Sequence, residues 1–143
     1  MKFAEKRLLQ FLLNHSALQP NFIPLCSEQD FAGLVTERIF AALLSHARTG
    51  ATATFESLHR HFAGESEQVM LAQLQIEEVP EDLTQDAAES FLCALRSIRL
   101  EARRQEIQAR ISAAAEKNDD GTLNQLIAER VQVDRELVNL SRK

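Results

Sequence analysis

Four short stretches carry side chains that could do chemistry. "HRHF", His59 to Phe62, holds two histidines, the residue type that binds zinc or moves protons. Zinc-binding helices place two histidines at i and i+4, on one face. The i, i+2 spacing of His59 and His61 points them to different sides of a helix, so they read as surface residues. His15 and His46 each stand near a helix C-terminus, where an imidazole suits the dipole. "EEVPEDL" gathers four carboxylates around Pro80. Acid–base work needs such groups buried and held apart, and these read as a solvated connector. Cys26 and Cys93 have no CxxC or Cys/His pattern and read as a reduced pair of small apolar residues. "RLEARR", Arg99 to Arg104, is basic without interleaved aromatics and reads as helix surface with i, i+4 pairs. There is no Gly-rich phosphate loop and no locally supported Ser-His-Asp arrangement. The reading is therefore of a binding module, with no catalytic residue and no metal ligand assigned.

The composition agrees with that reading. The 143 residues are 45% hydrophobic and 26% charged, with eight Phe and no Trp or Tyr. Four Gly and three Pro are few, which favours helices over a turn-rich β fold. A formal charge of −5 argues against a partner recognised through phosphates. The charge is uneven: residues 1–95 carry 6 basic and 13 acidic side chains, residues 96–143 carry 10 and 8. No run of 18 apolar residues suggests a membrane span, and no signal peptide is legible.

Apolar periodicity then supplies the elements. Leu8, Leu9, Leu12 and Leu13 form one helical face, which Pro20 and Pro24 are expected to break. Ser27 is a cap for a short turn. Thr36 is expected to cap a helix with stripe Ile39, Phe40, Leu43 and Leu44, stopped at Gly50. Thr54 caps the next, with Phe55, Leu58 and Phe62, stopped at Gly64. "ESEQVMLAQLQI" gives another, ended before Pro80. Nothing alternates with period two for long enough to be a strand, so the chain is read as all-α.

From Thr84 more than thirty residues run without Gly or Pro. Early in this run Ala88, Phe91, Leu92, Leu95 and Ile98 share one side; later Leu100, Ile107, Ile111 and Ala114 share another. At about 100° per residue the two sets are centred roughly 140° apart. One helix is thus asked to bury different faces in its two halves, which requires two packing partners. "NDDG" is expected to reverse the chain at Asp119 or Asp120 with Gly121. Leu123, Leu126, Val133, Leu137 and Leu140 follow as a heptad-like seam with Arg130 as its polar step. The expected architecture is a bundle of about five helices in residues 1–100, then an antiparallel helical hairpin in residues 101–143, joined by a long helix. Ile127, Val131 and Val138 lie beside the seam, either widening it or forming a docking face. The polar neck Arg99–Arg104 would let the hairpin exchange with a neighbour, giving a swapped dimer from a monomeric protein.

In their order, "EKRLLQFLLNHSAL", "FAGLVTERIFAALLSHARTG" and the stretch from "RLEARRQEIQARISAAAEKNDDG" through "TLNQLIAERVQVDRELVNL" resemble the C-terminal helicase-binding domain of bacterial DNA primase, the DnaG type. The resemblance covers nearly the whole chain. One departure is Ser16, where relatives often carry Pro. The resemblance implies a domain that recruits primase to the N-terminal collar of the hexameric replicative helicase in the bacterial cytoplasm, at the replisome. It implies no cofactor here: zinc and divalent metal belong to the catalytic portion of a primase, which makes the primers. No direct nucleic-acid or membrane contact is expected. Gln108, Ile111, Glu129, Arg130, Val133, Leu137 and Leu140 are the expected helicase-binding residues of the hairpin. The N-terminal domain of the helicase itself is the runner-up; such domains show Gly in the first helix and an aromatic pair after the early loop. This chain has Gln10 and Phe11 in the helix, and Phe31 followed by Ala32. An unrelated all-helical adaptor is the third reading.

Overall fold

A computed structural model describes residues 1–141. Its described residues form seven α-helices and three short 3₁₀ turns with no strand, so the chain is all-α. The sequence reading expects a bundle of about five helices and a hairpin; the helices number seven. They are α1 (Phe3–Asn14), α2 (Gln19–Phe22), α3 (Glu37–Arg48), α4 (Phe55–His61), α5 (Ser66–Ile76), α6 (Gln85–Glu116) and α7 (Asp120–Ser141). The chain divides into two compact units, Met1–Leu95 and a second beginning at Arg96, and the division falls within α6. The expected second subdomain began five residues later, at 101, and its residues 142 and 143 lie outside the described residues.

In the first unit, α1 buries all four expected leucines and Phe11 besides. Pro20 and Pro24 do not simply break the chain. Each stands in the first turn of a short helical segment, α2 and the 3₁₀ turn Ile23–Leu25. The amide that proline lacks has no intrahelical partner at that position, so a helix can begin there without loss. Gln19, opening α2, is 3% exposed and joins three parts of the chain. Its Nε2 donates to the Leu12 carbonyl and the Ala53 carbonyl, both at 2.8 Å. Its Oε1 accepts from the Ala53 amide at 3.0 Å.

The caps divide into two kinds. Thr54 caps α4 as expected, accepting from the Ser57 amide at 3.0 Å, and Thr84 accepts from the Ala87 amide at 3.3 Å. The Ser27 amide donates to Asp30 at 2.9 Å across the 3₁₀ turn Glu28–Phe31. Thr36 precedes α3 but its hydroxyl does not cap it. That hydroxyl donates to the buried carboxylate of Glu5 at 2.5 Å, and Glu5 also accepts the Lys2 amide at 2.7 Å. One carboxylate thereby serves the positive ends of both α1 and α3. Gly50 and Gly64, with φ of 77° and 79°, end α3 and the turn after α4 in the left-handed region, where a Cβ is strained.

The core of this unit is aliphatic and phenylalanine-rich. Phe31 and Phe40 stack with centroids 3.9 Å apart and planes at 4°, and Phe11 meets Phe22 edge-on at 5.6 Å. Ala88, Leu92 and Leu95 of α6 belong to the same core. Arg38 of α3 ties in α5: it pairs with Glu65 at 2.8 Å and Glu67 at 3.1 Å, with its guanidinium 5.5 Å from the Phe62 ring centre. Hydrogen bonding to its own backbone amide, then the Arg38 charge and the bond from Ser66, hold the Glu67 carboxyl below the usual range, against an upward push from burial. Cys26 and Cys93 are not joined to each other in a disulfide.

Candidate functional site

The second unit is built from α6 after Leu95 and from α7. Their connection turns at Asn118, whose φ is 55°, a left-handed conformation that asparagine tolerates. This corrects the expectation that Gly121 makes the reversal. Gly121 lies in the first turn of α7 with no positive φ. Asp119 supplies the cap: Oδ1 accepts the Thr122 amide at 3.2 Å and Oδ2 accepts the Thr122 hydroxyl at 2.7 Å. The bond from the Thr122 side chain, then that from its amide, then the Lys117 charge hold the Asp119 carboxyl below its usual value. A depressed folded-state value means that the cap acts fully above the ordinary carboxylate range. It is lost as pH falls through the lowered value. Asp119→Ala is therefore expected to speed amide exchange at Thr122 and Leu123 at neutral pH, and to leave the two proteins alike in strong acid. Equal exchange rates at neutral pH would remove Asp119 from this role.

Leu100, Ile107 and Ala114 of α6 form one buried cluster with Leu126 and Val133 of α7, Ile107 being fully inaccessible. Ile111, Leu123, Leu137 and Leu140 pack against it half-buried. Polar cross-links edge this seam. Arg103 reaches Glu129 at 3.2 Å, Arg104 reaches Asp134 at 2.8 Å, and Arg130 donates to Gln108 at 2.8 Å. The partner on α7 recedes along the sequence as the position on α6 advances from Arg104 to Gln108. Such half-exposed pairs contribute only about 0–1 kcal/mol each, so the aliphatic seam supplies most of the cohesion and the charges fix register. The basic stretch Arg99–Arg104 is thus partly spent on α7, and its within-helix pair of Arg104 with Glu101 is spaced i, i+3 rather than the expected i, i+4.

The expected binding residues distribute unevenly over this structure. Val133 is buried between the helices, and Ile111, Leu137 and Leu140 are packed on the same seam. Gln108, Glu129 and Arg130 lie along its edges, each holding a partner on the other helix. The side chains left open are Ile127, Val131 and Val138, which are 46%, 44% and 48% exposed. Their spacings of 4 and 7 keep them within about 40° of one another on α7. They therefore do not widen the seam; they form a separate apolar stripe along α7. Ile98, expected in the buried face of α6, is also exposed, at 44%. Without it, the buried faces in the two halves of α6 are centred roughly 120° apart rather than 140°.

Among the described residues, no helix is long and apolar enough to cross a membrane, and no group of three or more His, Cys, Asp or Glu is placed to hold a metal ion. No family model matches the chain, and neither a curated protein nor a solved structure matches it.

Proposed function

We propose that this chain is a non-catalytic docking domain, the helicase-binding portion of a bacterial DNA primase. In this reading a bundle of about five helices carries an antiparallel hairpin made by the later part of α6 and α7. The hairpin engages the N-terminal collar of the replicative helicase and so brings the primer-making parent enzyme to the replication fork.

One observation carries the reading: Ile127, Val131 and Val138 remain open on one stripe of α7 although the seam beside them is already filled. Aliphatic side chains aligned in this way lose free energy in water that a protein partner can recover. The seam residues Ile111, Val133, Leu137 and Leu140 then act as the rigid support of the docking helix. Arg130, between stripe and seam, belongs with Gln108 and Glu129 to a polar rim that steers encounter.

The test is direct. The purified full chain is mixed with a purified bacterial replicative helicase hexamer and run on a sizing column, with calorimetry in parallel. Co-elution and saturable heat are expected at micromolar concentrations, the range of weak, modest-sized interfaces. Elution as two independent species at those concentrations rejects the proposal. Primer synthesis by this chain alone, free of contaminating enzyme, would reject its non-catalytic half.

A further inference from the structure

The two histidines of "HRHF" diverge, but the fold gives one of them a different companion. His61, the last residue of α4, lies against His46 in the last turn of α3, with ring centres 6.2 Å apart and planes at 72°. His46 Nδ1 is 2.7 Å from the Ala42 carbonyl oxygen. A carbonyl can only accept, so Nδ1 carries a proton, and in the neutral ring the lone pair is on Nε2. This is how metal-ligating histidines are commonly held, one nitrogen fixed by an oxygen acceptor and the other left to coordinate. His61 is supported from below by the buried ring of Phe62, edge-on at 4.7 Å.

The separation is close to that of a shared ion. With metal–nitrogen bonds of about 2.0–2.1 Å, two imidazole ring centres stand roughly 5.2 Å apart on a tetrahedral ion and roughly 6.4 Å apart when trans, so the exposed His61 must swing in by about 1 Å to close a tetrahedral site. Both rings stand at helix C-termini, the negative end of the helix dipole, which favours a cation. The nearby Arg48 charge is taken up by Glu28 at 2.8 Å. We infer that His46 and His61 form a two-histidine site for a borderline transition-metal dication such as Zn²⁺ or Ni²⁺, with water completing the coordination. Imidazole nitrogen selects these ions over Mg²⁺ and Ca²⁺, which prefer oxygen.

The experiment is calorimetric and NMR titration of the full chain with zinc chloride, then with nickel chloride. One equivalent is expected to bind, with amide shifts confined to the C-terminal turns of α3 and α4, and the melting midpoint to rise with excess metal. His61→Ala and His46→Gln are each expected to weaken binding by about tenfold or more, since each removes one of two protein ligands. His59→Ala is expected to bind as the parent does. His61 is exposed, so its variant reports on the site even if His46→Gln disturbs folding. Absence of saturable binding, unchanged affinity in His61→Ala, or an equal loss in His59→Ala would each overturn the site.

Discussion

Under the proposed docking to a replicative helicase, replacing Val131 with aspartate is expected to weaken that association about 30-fold or more, the effect of losing an interface anchor worth about 2 kcal/mol. The helical content of the chain should not change. Val131 is 44% exposed on α7, so a carboxylate there stays hydrated in the free protein. In the complex the same carboxylate must leave water without a partner, and that cost falls on binding alone. Val138→Asp should behave in the same way. Leu126→Asp is the contrasting variant: Leu126 is 6% exposed in the seam, so a charge there separates α7 from α6 and removes helicity together with binding. Calorimetry for affinity and circular dichroism for helicity distinguish the two classes. Full affinity in both Val131→Asp and Val138→Asp would move the docking surface elsewhere, even if helicase binding itself were real.

Gln19→Leu is expected to destabilise the first unit by about 3 kcal/mol or more. The substitution nearly conserves volume and adds apolar surface, so a packing argument alone would make it neutral. The hydrogen bonds decide otherwise. The Ala53 amide, the Ala53 carbonyl and the Leu12 carbonyl all lose the partner that Gln19 provides. Each buried polar group left unpaired costs about 1–3 kcal/mol, and relaxation or entry of water recovers some of the total. For a unit of this size the melting midpoint should fall by about 12 °C or more. Gln19→Glu offers a check, since it keeps an acceptor for the Ala53 amide but loses both donated bonds. A Gln19→Leu protein that melts within a degree or two of the parent would show that water satisfies these groups.

The resemblance to a primase domain rests on the order of segments in the sequence, and the docking argument rests on exposure in the structure. These are independent lines, and the helicase experiment joins them. Failure of that experiment would leave the α7 stripe in need of another partner, whereas the His46–His61 site would stand or fall separately.

Much of the local structure was written in nearest-neighbour chemistry. Thr54 and Thr84 precede apolar stripes and cap their helices because a hydroxyl reaches an amide three residues on. Thr36 has the same sequence context, yet its hydroxyl goes to Glu5, 31 positions away, an acceptor that no local pattern could reveal. Gly121 looked like the pivot because glycine is the usual left-handed residue. Asn118 took that role, and Asp119 could then turn its carboxylate onto Thr122.

By itself the sequence determined that the chain is helical, where most helices start and stop, and that the long helix must bury different faces in its two halves. Those properties depend on residue spacing within one turn or a few, and a linear string records such spacing completely. Only the tertiary structure decided which apolar side chains fill the seam and which stay in water, since Val133 and Val138 are equally apolar and differ in what packs over them. It also decided that His61 meets His46 rather than His59, and that Gln19 is an internal tie. Each of those outcomes depends on segments distant in the chain, whose meeting is fixed by packing and not by any local repeat.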